Sequence, residues 1–498
     1  MLKTSKLSIL IIMILAVLVV LNLLSYNFFK RWDITENKLY SLSSFSKETV
    51  RELDDELIIE VYFGPDLPVQ YLKLQQEVDD ILEEYASYSG KFQIKYIESD
   101  KLDEEAAKLQ IPRIQFNTYQ KDKMQVVNGY LGLAIKYHDK TEVIQVLQNI
   151  SNLEYMLTSL IKKLTLEKVP IIGFVQSHSS LGQTDLVTAS NEISSLYQIK
   201  NVDLNTEGPI DEEIDTLIIP GPKSEMSEEV LKKVDEFLIK GKSVLMLIDN
   251  IMVTNTLAFH KSANNLPDLL KHYGVIVNDK LVLDSSNGTA SFTQGFITYN
   301  LPYPLWPKIV NNNVDKDNPV VAETEGAVLP WATSLELDTE KIDKSNQISY
   351  LIKSSAKAWT KEGEFDMNPN QKLYNNEELK QFIFAISISG KFSSLYSEAS
   401  TDNGKLIVVA DSDFVKEDFV ARYPQNLLFF QNLVDGLSLD ADLVNIRAKQ
   451  ISDRPLKETT NSQKKLIRYA NVFGITILVL IAGLARYFLR KKTKHFEL

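Results

Sequence analysis

There is no cysteine among the 498 residues, which excludes disulfides, thiolate nucleophiles and cysteine-ligated zinc. It leaves the compartment open. Histidine is scarce, at five residues, and no second one stands at ligand spacing from His178, so no metal is expected. A phosphate-binding loop is missing too. Gly241-Lys242-Ser243 looks like the end of one, but the glycine needed five positions earlier is Glu236, and the segment leads from a helix into a strand, the reverse of a phosphate cradle. The chain therefore does not hydrolyse ATP on that loop, and no cofactor is expected. An excess of basic residues is lacking as well. With a formal charge of −12, the chain repels polyanions at long range, so nucleic acid is not an expected partner. No internal repeat is visible.

What is there is a long polar region held between two apolar segments. Residues 7–24, LSILIIMILAVLVVLNLL, and 469–489, YANVFGITILVLIAGLARYFL, are each long enough to cross a hydrocarbon core of roughly 30 Å. Ring-bearing residues of the interfacial kind edge both: Tyr26, Phe28, Phe29 and Trp32 after the first, Tyr469, Phe473, Tyr487 and Phe488 around the second. A cleaved signal peptide is the alternative for the first segment. Its apolar run exceeds a signal core of about 7–15 residues, and no small-x-small cleavage site follows. Two spans put both termini on one side, and the basic tail Arg490, Lys491, Lys492 and Lys494 assigns that side to the cytosol. The expected location is the inner (cytoplasmic) membrane, two-pass and in contact with lipid, with the large region outside the cytosol.

The organisation expected is an N-terminal span at 1–30, a juxtamembrane helix with a first α/β domain at 31–166, a second α/β domain at 167–449 with an insertion at 285–375, a polar stalk at 450–465, and the second span with its tail at 466–498. Ser43 or Ser44 is placed to cap a helix running to Leu53. Strands at 57–63, 92–98, 130–137 and 141–147 and helices at 71–89, 103–109 and 151–165 give the order βαβαββα. That order is the thioredoxin-like one, without a Cys-x-x-Cys pair. From residue 169 apolar runs separated by helices predict strands buried on both faces of a doubly wound parallel sheet: VPIIGFV (169–175), IDTLIIPGP (214–222), SVLMLID (243–249), VIVNDKLVLD (275–284) and KLIVVADSDF. Residues 285–375, rich in Asn, Pro, Gly and Trp, read as a long, partly irregular insertion.

Several residues are candidates for chemistry. Asp411 and Asp413 follow the apolar strand LIVVA, the position where a phosphohydrolase of the haloacid-dehalogenase type keeps its nucleophile and acid. Helix capping and loop hydrogen bonding by short acidic side chains are the simpler use of such a pair. Asp249 and Asp411 both end predicted parallel strands, beyond which ligands of open α/β sheets lie. His178, in the loop after the strand at 169–175, is placed to face the same cleft, or is an ordinary loop residue. Trp306, Trp331 and Trp359 cluster in the insertion, where they would stack on a carbohydrate or protein ligand, or pack the insertion onto its domain. In the apolar segments, Asn22, Asn471, Gly474 and Gly483 are the small or polar residues available for close docking on a partner's helices.

The chain resembles the GldG family of membrane-anchored auxiliary subunits of a bacterial ABC transport system linked to gliding motility. The resemblance rests on an N-terminal span followed by RWDITENKLYSLS (31–43), VYFGPDLP…LEEYASYSGKFQIKYIESD (61–100), the FVQSHSS turn, IIPGP (218–222), LMLIDN (245–250), VVADSDF (408–414) and a C-terminal span. It implies a permease and an ATPase encoded separately, and a second domain like that of the class I glutamine amidotransferases. The cysteine chemistry of that class is excluded here. The family turn usually reads Gly-His-Gly, whereas Ser177 and Ser179 flank His178. The function expected is a non-enzymatic, extracytosolic subunit of an ABC complex that recognises substrate or couples its movement to the ATPase. The alternatives are a membrane-tethered, metal-dependent phosphohydrolase using Asp411 and Asp413, and a purely structural envelope scaffold.

Overall fold

The computed structural model describes residues 41–438, apart from short stretches within them, together with 13, 464–465, 468–474, 480, 483–484 and 486. The apolar segment at 7–24 with Asn22, most of the stalk at 450–465 and the basic tail lie outside the described residues. Among the described residues no helix is long and apolar enough to cross a membrane. By internal packing the chain divides into 1–450 and 451–498. In the second unit, Asn471 and Gly474 lie on described helical residues, and Gly483 is helical and exposed.

The first unit opens with helix α1 (Ser44–Arg51), capped by Ser43, whose hydroxyl accepts the Ser46 N–H at 3.0 Å. There follow β1 (Leu57–Phe63), α2 (Val69–Tyr88), β2 (Phe92–Tyr96), α3 (Leu102–Lys108), the hairpin β3 (Ile114–Gln120) and β4 (Lys123–Gly129), β5 (Leu131–Tyr137), β6 (Lys140–Ile144) and α4 (Leu153–Thr165). The sheet order is β2-β1-β5-β6, with β1 and β2 parallel and the other neighbours antiparallel. Helix α2 covers it because Leu74, Val78, Leu82 and Tyr85 recur every three or four residues on one stripe. Complete burial of a side chain such as Leu82 is worth about 1.5–3 kcal/mol. Glu60, the charged residue of β1, is buried and held by Lys95 at 2.9 Å, Lys136 at 2.7 Å and the Tyr62 hydroxyl at 2.9 Å. The β3–β4 hairpin, which the sequence pattern does not announce, pairs only with itself among the described residues.

The second part contains β7 (Ile171–Val175), α5 (Val187–Ser194), β8 (Gln198–Val202), β9 (Thr216–Pro220), α6 (Glu228–Ile239), β10 (Ser243–Leu247), β11 (Ile251–Val253), β12 (Phe259–Lys261), α7 (Leu266–His272), β13 (Val275–Val277) and β14 (Leu281–Asp284). It continues with β15 (Asn287–Gln294), β16 (Ile297–Val310), β17 (Gly326–Val328), β18 (Leu335–Leu337), β19 (Gln347–Lys353), β20 (Ala358–Lys361), β21 (Ile383–Ser393), β22 (Ser400–Val409), α8 (Glu417–Arg422) and α9 (Pro424–Ser438).

The large sheet has the order β13-β18-β21-β22-β10-β9-β7-β8, with β19 also on β21. Its β22-β10-β9-β7-β8 half is parallel. The other half corrects the expectation of a parallel sheet: β21 pairs antiparallel with β22, β19 and β18. The cause is the short link from Ser393 to Ser400, too short for the crossover that parallel neighbours need. The run at 275–284 is corrected likewise. It breaks into β13 at the sheet edge and β14, which leaves to pair with β20. Residues 285–375 carry six strands, two of which, β18 and β19, belong to the large sheet, so the insertion is more regular than its composition suggests. One buried cluster runs from Leu42 and Val50 through Leu157 and Ile161 to Phe430 and Leu437, so both sheets share a core.

Candidate functional site

The parallel strands β9, β10 and β22 end together, and their following loops bring Gly221, Asp249 and the segment 411–416 into one crevice. Asp249 accepts the Ser412 N–H on Oδ1 at 2.6 Å and the Ser412 hydroxyl on Oδ2 at 2.5 Å. Those two bonds tie the β10 loop to the β22 loop, 163 residues apart in sequence. Asn264 Nδ2 donates to the Asp249 carbonyl at 3.2 Å and fixes the same loop from below. Gly221 sits over the pair with φ +61°, where a Cβ would lie 2.1 Å from Ser412 Oγ and 3.0 Å from Asp249 Oδ2. Only glycine fits that approach without strain.

Asp411 Oδ1 accepts the Asp413 N–H at 2.8 Å, while its Oδ2 is buried without a hydrogen-bond partner among the described residues. Asp413 forms an ion pair with Lys416 one turn on. Burial, reinforced by the Asp413 charge, pushes Asp249 up to about 6. Burial, then the charges of Asp413 and Asp249, hold Asp411 well above the usual carboxylate range. Burial acts to lower the Lys416 ammonium, but Asp413, Asp249 and Asp411 outweigh it and raise it.

The chemistry follows from that accounting. Asp411 holds its proton to higher pH than a free carboxyl, Asp413 is paired with Lys416, and Asp249 accepts both Ser412 donors. A carboxyl at 2% exposure is closed to an approaching phosphate, so the geometry does not suit the phosphohydrolase role considered for Asp411 and Asp413. Among the described residues no three His, Asp or Glu side chains converge where a metal ion would sit. Because the folded state holds the Asp411 proton more tightly than the unfolded chain does, Asp411→Asn is expected to be more stable than the parent at pH 7 and to lose that advantage toward pH 4. Thermal melts of the two proteins at both pH values check this; a variant less stable at pH 7 would mean the native carboxyl is ionised.

His178 is not brought against these carboxylates. Its Nδ1 lies 3.0 Å from Ser177 Oγ, burial lowers its pKa, and the charge opposing that is Asp203's. Its backbone does join the crevice wall, since its carbonyl accepts the Lys223 N–H at 2.9 Å. His178 and Ser179 both hold φ near +58°, the left-handed region that glycine tolerates best.

The tryptophans serve packing. Trp306 and Trp359 are buried at 8% and 5%. Trp306 meets Tyr303, Trp331, Phe419 and Tyr423 edge to face, with centroids 5.0–6.4 Å apart, and Arg422 stands 5.8 Å over its ring. Trp359 donates its Nε1–H to the Leu373 carbonyl at 3.2 Å. As stacking platforms for a sugar, Trp306 and Trp359 are therefore corrected: their faces are already covered. Trp331 is half-buried in the same cluster. Ser412, Lys416, Gly221 and Asn264 are the residues that sequence reasoning passed over. The signals present were the D-x-D spacing and the Pro-Gly at a strand end.

Comparison with known proteins places this geometry. A curated protein of Borreliella burgdorferi, described as an "uncharacterized protein", is 27% identical over 481 residues, covering 92% of this chain and 93% of its own. Among solved structures, the mmIFT52 N-terminal domain matches at 13% identity and TM-score 0.36 over 57% of this chain and 100% of its own. A β-galactosidase from Bacillus circulans sp. alkalophilus matches at 10% identity and TM-score 0.25, over 58% and 34%. Residues 36–136 match a domain family of unknown function. Residues 170–438, more than half of the chain and including every residue of the strand-end crevice, match the family described as "ABC-type uncharacterized transport system". The chain belongs to that family, the auxiliary components of an ABC-type transport system.

Proposed function

We propose that this chain is a non-enzymatic auxiliary subunit of an ABC transporter complex, of the GldG type, anchored in the cytoplasmic membrane by its two apolar segments with residues 31–465 outside the cytosol. Its folded exterior recognises a substrate, or couples its movement to a separate permease and ATPase. The observation that carries this reading is the family match over residues 170–438, which names an ABC-type transport system. The buried, internally bonded strand-end carboxylates favour binding or coupling over catalysis. The order β2-β1-β5-β6 supports a thioredoxin-like reading of the first domain, and the parallel half of the large sheet supports an amidotransferase-like reading of the second. Asn22, Asn471, Gly474 and Gly483 would form the close contacts with permease helices.

Affinity purification of the full chain from native membranes is expected to bring down a multi-span permease and an ATPase. A preparation that solubilises intact yet yields neither would overturn the reading. Protease added to spheroplasts should digest the exterior and leave a tag after Leu498 intact.

A further inference from the structure

The long hairpin formed by β15 and β16 ends in an uncovered apolar tip. It turns between Gln294 and Ile297, and Phe296 at the turn is fully exposed, with Ile297 at 57% and Tyr299 at 45%. Phe292 pairs with Tyr299 across the ladder and meets Tyr303 of the aromatic core at 5.3 Å. Ser291 pairs with Asn300 on the opposite face and donates to its side chain at 2.6 Å. One face is thus apolar from the core outward, through Phe292, Tyr299 and Ile297, with Gln294 its polar member at the last rung, and the other is polar. No Asp, Glu, Lys, Arg or His occurs from residue 285 to residue 307, in a chain of net charge −12. An exposed base, Arg422 of α8, donates to Ser291 Oγ at 2.8 Å partway down the hairpin.

We infer that this hairpin is a membrane-contacting finger that inserts Phe296, Ile297 and Tyr299 into the headgroup–acyl boundary of the bilayer. The proposal rests on the membrane-anchored reading above. An apolar tip, an uncharged stretch and a base about 10 Å behind the turn are the order of chemistries met on passing from acyl chains through headgroups to anionic phosphates. Exposed aromatic and apolar side chains settle at that boundary, and interfacial insertion is typically about 5–10 Å deep. Three strand steps separate Ser291 from Gln294, about 10 Å of reach before the turn that carries Phe296. The tip therefore enters the boundary while Arg422 remains at or just outside the phosphates. A protein groove would not explain why the shaft, in so acidic a chain, carries no charge at all; an anionic surface would repel any carboxylate placed there.

Absence of cysteine makes the test clean. The full-length chain carrying Phe296→Cys, Gly474→Cys or Asn403→Cys is labelled with an environment-sensitive fluorophore and placed in nanodiscs whose phospholipids carry brominated or ordinary acyl chains. Asn403 is exposed at the start of β22, the end of that strand away from Asp411. The proposal expects the label at 296 to lose about half its emission to the bromines, as a group at acyl depth does, and the label at 403 to lose none. Quenching at 474 but not at 296 overturns the finger and leaves the anchored reading standing. Quenching at neither overturns both. Quenching at 296 without 474 supports the finger and removes the second anchor. A label at 296 shielded from aqueous iodide yet untouched by bromine would show a protein groove or a second copy as its occupant, and would overturn the proposal.

Discussion

Gly221→Ala is expected to destabilise the fold by roughly 2–4 kcal/mol, from overpacking and a strained backbone together. The backbone at 221 sits at φ +61°, and the added methyl would meet Ser412 Oγ at 2.1 Å and Ser412 Cβ at 2.7 Å. Neither atom is free to retreat. Ser412 is fully buried and donates twice to Asp249, so moving it leaves a carboxylate without donors in a desolvated site. The β9 loop is equally fixed, because the Gly221 N–H donates to the Leu247 carbonyl at 2.8 Å. Chemical denaturation of both proteins measures the loss. The two causes separate in a double variant: adding Ser412→Gly removes both clashing atoms and should return part of the stability, while the left-handed strain remains. A Gly221→Ala protein as stable as the parent would mean that the loops after β9 and β22 move apart freely, and the crevice would then not be the rigid junction described here.

Much of this junction was legible in the chain, and the reasons for the rest are physical. Apolar runs of five residues at 171–175, 216–220 and 243–247 are buried on both faces, and runs of that kind announce parallel strands. The run of β22 has the same character, yet its partner β21 is antiparallel. Composition cannot carry that difference, because burial on two faces looks alike for either direction; only the short link at 394–399 decides it. The β3–β4 ribbon stayed hidden because it belongs to neither main sheet and so lacks a continuous buried face. At the site, Asp249, Asp411 and Asp413 were visible as acids ending apolar strands. Lys416 was not, since it reaches Asp413 only through the single 3-10 turn Asp413–Val415. Trp306 and Trp359 misled for the converse reason. A ring that packs a core and a ring that receives a ligand are the same residue type, and only burial tells them apart.

The least legible residue of all is Asp435, and it is expected to govern how stability varies with pH. It lies in α9 at 2% exposure and accepts the Tyr197 hydroxyl at 2.7 Å, from 238 residues away, and the Tyr155 hydroxyl of α4 at 3.1 Å. It thereby joins the helix that closes the first sheet to the helix that closes the second. Burial pushes its pKa from 3.8 up to about 7, opposed only in part by the Tyr197 hydrogen bond. A folded carboxyl that keeps its proton to higher pH than the unfolded one contributes stability that is complete below the unfolded value and is lost as pH rises through the folded value. The window is therefore pH 4 to 7, and the loss across it is on the order of 4 kcal/mol. Asp249, raised to about 6, and Asp411 act in the same direction, so the native chain should be most stable on the acid side of neutrality. Asp435→Asn isolates one contribution, since the amide oxygen still accepts from Tyr197 and nothing ionises. The variant is expected to match the parent within about 1 kcal/mol at pH 4, and to exceed it by roughly 1–2 kcal/mol at pH 5 and by about 4 kcal/mol at pH 8. Urea titrations of both proteins across pH 4–8.5 provide the measurement. Parallel curves for the two proteins would mean that Asp435 is ionised in the fold throughout, with its charge met by the two tyrosine hydroxyls, and the junction of the two sheets would then be indifferent to pH.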